Sequence, residues 1–298
     1  MELLNKSLEN LFHTNIKNIS MNLCSKGDVN SSYIAGYKEQ KYFIKIQNKK
    51  NLPELYENQI EREIIGTSLC EKEGIPCPQV FDYNLEEKFI ITEFMDYKLL
   101  GDLWRFLDDE ERKDIKKQAL RMLEKMNHIK SDSFGGIYKN GRIGQFRLWT
   151  DSYKNIVETA LSDCCRYGSI TEIECRAIRD KVNENCKNLN HKKKQSSAAF
   201  AHLDLHWNNI FIDKSTRKIK GIFDFGSSLF TPEYMGYFRL NGGFLYGTDC
   251  FYDQEIICPV QIDNHEYQCA KILNTLDYFT FLSFKKLDYE KEKQILLK

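Results

Sequence analysis

The stretch HLDLHWNNIFIDKSTRKIKGIFDFG, residues 202–226, constrains this chain more than any other. It contains two short apolar runs, NIFID and KIKGIFDFG. Runs of this kind read as strands, and a β-hairpin between them would bring Asn209 and Asp224 to the same end. Asp204 lies five residues before Asn209, and Asp224 lies fifteen after it. Three chemistries compete for the stretch. As a metal site it would use His202, Asp204 and His206, which share a face only in a strand; no second histidine cluster completes the set, and His265-Glu266 lacks the second histidine of HExxH. A plain polar turn accounts for Asn and Asp bonding to their own backbone. Phosphoryl transfer needs an aspartate for the acceptor hydroxyl's proton, an asparagine a few residues on for a magnesium ion, and a second aspartate at a strand end to bridge metal and phosphates. The hairpin geometry favours the third.

Composition removes other classes. With 298 residues, 43 basic and 43 acidic, the chain has a formal net charge of zero, which gives no electrostatic reason for general nucleic-acid binding. The N-terminus has no long apolar run of a secretory signal, and no stretch approaches the roughly 18 apolar residues of a membrane span, so a cytoplasmic protein without membrane contact is expected. The ten cysteines show no CxxC spacing, and Cys164–Cys165 is the one adjacent pair; reduced buried thiols are expected in place of a zinc cluster. Neither GxxxxGK[ST] nor GxGxxG occurs.

Along the chain, IKNISMNLC, SSYIAGY, KYFIKIQ, QVFDY and KFIITEF read as five strands. A helix opened by Pro53 and stopped at Gly74 crosses among them. From about residue 96 the pattern becomes helical, with DEERKDIKKQALRMLEKMNHI, the segments 149–168 and 171–190, and a further helix over 270–283. The expectation is an α+β chain: a small β-rich N-terminal lobe with one helix over 1–95, and a larger, mainly helical lobe over 96–298.

With these motifs in order, the chain resembles the aminoglycoside phosphotransferase and small-molecule kinase family, which has a protein-kinase-like two-lobed fold and includes choline, homoserine and ketosamine kinases. HLDLHWNN is similar to the family's H-G-D-L-H-x-x-N, and GIFDFG supplies its D-F-G. SKGDVNSSYIA resembles the first hairpin that covers the phosphates, YFIK puts Lys45 on the third strand, EREIIGTSLCEKEGIPCPQV puts Glu63 opposite it, and IITEFMDYKLLGDLW looks like the hinge. The resemblance implies transfer of the γ-phosphate of ATP or GTP to a small-molecule hydroxyl by a cytoplasmic enzyme, favoured as a monomer. In it Asp204 is the catalytic base or orienting group, and Asn209 and Asp224 hold Mg²⁺. Lys45 and Glu63 position phosphates, Gly27 and Ser31 lie in the phosphate hairpin, and the backbone of Glu93 and Met95 meets the adenine. His202 and His206 are expected to brace the loop.

Two departures from the family pattern stand out. Leu203 replaces the glycine between His and Asp, and Thr231 and Met235 replace both aspartates of the family's D-P-x-x-D. The latter keeps a catalytically degenerate, nucleotide-binding chain as an alternative, against which stands the retention of Lys45, Asp204, Asn209 and Asp224. A protein kinase is disfavoured because nothing like A-P-E follows DFGSS. Residues 240–270 carry five carboxylates (Asp249, Asp253, Glu255, Asp263 and Glu266) and no lysine or arginine. Asp249, Asp253 and Glu255, with aromatic residues nearby, are candidate contacts for an amine-bearing acceptor, an aminoglycoside with antibiotic resistance as its consequence, or a ketosamine.

Overall fold

The computed structural model describes residues 1–27, 29–47, 51–137, 143–190, 197–241 and 263–298. In chain order the elements are α1 (Glu2–Phe12), β1 (Ser20–Lys26), β2 (Asn30–Tyr37), β3 (Gln40–Gln47), α2 (Gln59–Lys72), β4 (Val80–Asn84), β5 (Phe89–Glu93), β6 (Lys98–Leu99), α3 (Leu100–Leu103) and α4 (Asp109–His128). There follow β7 (Lys130–Ser131), β8 (Phe134–Gly136), β9 (Gln145–Phe146), α5 (Trp149–Arg166), α6 (Glu172–Asn190), β10 (Ala198–Ala201), β11 (Ile210–Ile212) and β12 (Ile219–Ile222). The described chain ends with β13 (Leu229–Thr231), α7 (Tyr234–Asn241), α8 (Asn264–Lys285) and α9 (Glu290–Leu297). None of the helices among the described residues is long and apolar enough to cross a membrane.

Two compact units emerge, and neither is a continuous segment. The first comprises Met1–Leu52, Asn58–Ile115 and Trp207–Gly226; the second comprises Pro53–Glu57, Lys116–His206 and Ser227–Lys298. In the first, β1-β2-β3-β5-β4 form an antiparallel sheet. The five strands are those expected from sequence. The expected single helix is corrected: α1 is a second one, its Leu4, Leu8 and Phe12 recurring at four-residue intervals and buried against Ala35, Ile44 and Ile91. That spacing puts all three on one face of a helix, where burial rather than propensity holds an eleven-residue segment. The helix expected from Pro53 also divides. Glu54–Tyr56 is a short 3-10 turn, and α2 begins only after Asn58, whose φ of 59° interrupts helical geometry. A second, three-stranded sheet, β12-β11-β6, completes this unit.

In the second unit a five-stranded sheet, β7-β10-β13-β8-β9, accompanies α5, α6 and α8. Helix α8 opens with a capping box: Asp263 accepts from the Glu266 N–H, and the Glu266 carboxylate accepts from the Asp263 N–H. Two of the five carboxylates of the acidic stretch thus serve a helix terminus. The other three, Asp249, Asp253 and Glu255, lie outside the described residues. Asp163, 1% exposed, accepts from the Glu54 N–H at 2.7 Å and pairs with Arg166 at 2.6 Å, fixing the 3-10 turn on α5.

Replacing that carboxylate strands a backbone donor. Asp163→Ala is expected to lower the free energy of unfolding by about 1–3 kcal/mol, the cost of an unpaired buried group. An unchanged urea midpoint would show that the Glu54 turn is not held from α5.

Candidate active site

The site is built on two connections in the first unit. The hairpin β11–β12 is antiparallel, with Ile210 opposite Ile222 and Phe211 opposite Gly221. The Phe223 N–H donates to the Asn209 carbonyl at 3.1 Å, extending the ladder by one step. Asn209 and Asp224 therefore stand at one end of the hairpin. At its other end Asp213 accepts from Ser215 and from the Thr216 N–H, and these bonds hold its carboxyl well below the usual range. The rings of Phe211 and Phe223 stack at 4.5 Å.

The second connection is a buried charge network. Lys45 on β3 donates to Glu63 on α2 and, at 3.0 Å, to Asp224. The Lys45 and Glu63 side chains are 7% and 8% exposed, and that of Asp224 is 36% exposed. Burial works against the Lys45 charge, but the carboxylates of Asp224 and Glu63 more than offset it, so the amine sits above its ordinary value. Its stabilising contribution is complete below the ordinary lysine pKa of about 10.4 and is lost only above that. Burial pushes the Glu63 carboxyl up; the Lys45 ammonium opposes the shift and the Asp224 charge adds to it.

Asp224 is held at φ 67°, a left-handed conformation uncommon outside glycine and asparagine or aspartate. Strain of this kind persists where surrounding contacts over-determine the backbone. The donors at this end, the Asn209 side-chain carbonyl and the Asp224 carboxylate, are hard oxygens. Their chemistry suits Mg²⁺ rather than a soft metal.

Loop residues around Asn209 depend on close packing with α3. A Cβ on Gly101 would fall 2.0 Å from Asn208 Oδ1 and 3.3 Å from Trp207 Cδ1, so only glycine admits this approach. The Trp104 and Trp207 rings meet at 5.9 Å. Gly27 lies in the β1–β2 turn, where a Cβ would reach within 2.9 Å of the Asn30 carbonyl. Ser31 is buried on β2, its Cα opposite those of Lys26 and Ile46. Glu93 closes β5, its N–H donating to the Gln79 carbonyl and its own carbonyl accepting from Thr92 Oγ1 at 3.5 Å. The Met95 methyl lies against Gly221, 3.2 Å from where a Cβ would stand.

Asp204 lies in the second unit, in the loop after β10. Its N–H donates to His202 Nδ1 at 3.2 Å, so that nitrogen carries no proton. His202 is fully buried, and its carbonyl accepts from Ser228. His206 Nε2 stands 3.9 Å from Asp204 Oδ2, an electrostatic neighbour at the limit of pairing. Between His202 and Asp204, Leu203 has φ 58°. The resembling family's glycine has its reason here: the turn demands a left-handed residue, and leucine occupies it at a cost of roughly 1–2 kcal/mol. Thr231 and Met235 are both buried, the Thr231 hydroxyl donating to the Pro232 carbonyl.

One contact was not legible in the sequence. Asn30 on β2 donates its amide N–H to Gln59 Oε1 at 3.1 Å, while the Gln59 side chain lies over Gly226 at 3.1–3.4 Å from a Cβ position. The β1–β2 hairpin, α2 and the D-F-G turn are thus tied by one amide pair. Amide pairs have no fixed sequence spacing.

The family follows from comparison with known proteins. The model of the phosphotransferase enzyme family matches residues 21–234. The chain belongs to that family and is a small-molecule kinase with the protein-kinase-like α+β fold. A thermostable mutant of aminoglycoside phosphotransferase APH(4)-Ia, solved as a ternary complex with AMP-PNP and hygromycin B, is similar at a TM-score of 0.68 and 13% identity, covering 99% of this chain and 95% of that one. A fructosamine-3-kinase-like protein from Haemophilus somnus 129PT is similar at 0.67 and 16% identity, with the same coverage. The gentamicin complex of APH(2")-IIa is similar at 0.63 and 14%, covering 99% of this chain and 91% of that one. A comparison with curated protein sequences finds no match.

Removing Lys45 leaves a buried carboxylate without its partner. Lys45→Met is expected to cost about 3–5 kcal/mol of stability at neutral pH. The loss should shrink as pH falls, because the raised Glu63 carboxyl then takes a proton. Adding Glu63→Gln should recover part of it. Urea melts of the double-mutant cycle measure this; strictly additive losses would contradict the coupling.

Proposed function

We propose that this enzyme transfers the γ-phosphate of ATP or GTP to a hydroxyl of a small amine-bearing molecule. The single observation that carries the proposal is the Lys45–Glu63–Asp224 network at the same hairpin end as Asn209. In it Lys45, kept charged by two carboxylates, binds α- and β-phosphate oxygens, and Glu63 holds the ammonium in place. Asn209 and Asp224 would hold Mg²⁺, which when bound neutralises charge on the transferring phosphoryl group.

Asp204 orients the acceptor hydroxyl and accepts its proton at a carboxylate oxygen, with His206 bracing the loop. Gly27 and Ser31 belong to the hairpin that covers the phosphates. The Glu93 carbonyl and Met95 amide meet the adenine edge, with the Met95 methyl and Gly221 beside it. The nucleotide role assigned to residues 1–95 and the catalytic and acceptor roles assigned to 96–298 are part of the same proposal.

The acceptor's amines are proposed from the acidic stretch, with Asp249, Asp253 and Glu255 as its candidate partners now that Asp263 and Glu266 are engaged in the capping box. The printed ligands hygromycin B and gentamicin of two similar structures, and the ketosamine kinase name of a third, support an aminoglycoside or ketosamine as the first compounds to test. Antibiotic resistance is the proposed consequence in the aminoglycoside case. A screen of the purified protein with ATP and GTP against aminoglycosides, ketosamines, amino alcohols and nucleosides, read as nucleoside diphosphate release, tests it. Turnover confined to neutral or anionic acceptors would remove the amine from the proposal.

Two variants separate binding from chemistry. Asp204→Asn is expected to lower kcat by roughly 10²–10⁴ with nucleotide affinity within a few-fold. In calorimetric titrations Mg²⁺ is expected to tighten nucleotide binding to the parent but not to Asp224→Ala. Wild-type turnover in the first, or metal-independent nucleotide binding in both proteins, would overturn these roles.

A further inference from the structure

In the second unit, the thiols of Cys165 and Cys175 lie 3.2 Å apart. Cys165 is in the last turn of α5 and exposed; Cys175 is in the first turns of α6 and buried. An S–S bond of about 2.0 Å requires these sulfurs to approach by about 1.2 Å. The adjacent Cys164 is turned into the interior, its sulfur 3.4 Å from Thr280 Oγ1, so it does not compete.

Glu172 joins the two thiols in a group whose potential ligand atoms lie within 4.8 Å of one another. One feature turns this group away from a metal. The Arg179 guanidinium already pairs with Glu172 at 2.7 Å, placing a fixed positive charge where a cation would need the carboxylate.

We propose that Cys165 and Cys175 form a thiol–disulfide exchange site, at which a small-molecule disulfide introduces a reversible bond between α5 and α6. The exposed Cys165 thiolate attacks one sulfur of the reagent, whose S–S bond breaks to release one thiolate. Cys175 then gives up its proton and attacks the Cys165 sulfur of the mixed disulfide, expelling the second thiol. Two protein thiols are oxidised to one disulfide, and the reagent is reduced to two thiols. Order of attack follows exposure, with Cys165 first and Cys175 resolving. The bond closes a short loop through Gly168 and clamps the end of α5 that carries Asp163 and Arg166, so the oxidised form should have the higher thermal midpoint. None of this depends on the phosphotransferase chemistry proposed above.

The test treats the full chain with oxidised glutathione at about pH 8.5, near the ordinary thiol pKa, and maps peptides by mass. In the wild type a Cys165–Cys175 linked peptide is expected, lighter by two hydrogens, with no glutathionyl group left on Cys165 and full reversal by dithiothreitol. Cys175→Ser should trap the glutathionyl group on Cys165, and Cys165→Ser should give no linked peptide. A wild type that keeps a stable adduct on Cys165, or a Cys175→Ser protein that gains none, overturns the proposal; the wild-type map decides even if a variant fails to fold. Retention of zinc by the reduced wild type, with both thiols shielded from alkylation, would make the cluster a metal site and equally overturn it.

Discussion

A lysine ammonium taken out of water needs negative partners, and the first unit is organised around meeting that need for Lys45. Its two partners come from distant parts of the chain, Glu63 on α2 and Asp224 beyond β12. Removing either would leave the remaining charges ill-matched in a buried place, where such imbalance costs more than the intact network contributes. This explains why a buried ion pair of little net stabilising value persists: it sets the position of a positive charge and of two oxygen donors in one construction.

Two turns, one in each unit, hold left-handed residues: Asp224 in the first and Leu203 in the second. Aspartate tolerates that conformation, whereas at Leu203 the turn is retained in spite of its side chain. At Leu203 the neighbouring His202 provides the reason, because its buried ring accepts the Asp204 N–H and so determines which way the loop leaves β10. The histidine thus braces the loop that carries Asp204.

Much of the candidate site was legible because its parts are local. HLDLHWNN and GIFDFG are contiguous motifs joined by a short hairpin, and alternation of apolar residues is enough to align Asn209 with Asp224. The expected fold class agreed with the family and the structure for the same reason, since five strands followed by helices leave few architectures. The misses are equally physical. The N-terminal helix α1 is short and moderately polar, so its formation depends on a sheet surface that no local pattern reveals. The break at Asn58 turns on one residue's φ, and the Asp163 bond to the Glu54 amide joins segments 109 residues apart. The acidic stretch was read as one feature, whereas Asp263 and Glu266 belong to a helix terminus whose capping box is a three-residue spacing visible in retrospect.

By itself the sequence determined the five strands of the first sheet, the hairpin that pairs Asn209 with Asp224, and the residue types suited to phosphate and magnesium, because each follows from periodicity or short-range spacing. Tertiary structure alone decided that Lys45 meets both Glu63 and Asp224, that Asn30 and Gln59 tie the β1–β2 hairpin to the D-F-G turn, that Gly101 admits the Trp207–Asn209 turn, and that Cys165 faces Cys175 while Cys164 faces away. Those are contacts between segments far apart in the chain or on the facing sides of packed helices. Their distances are set by how cores fill space, a condition imposed on the whole chain at once and written in no single stretch of it.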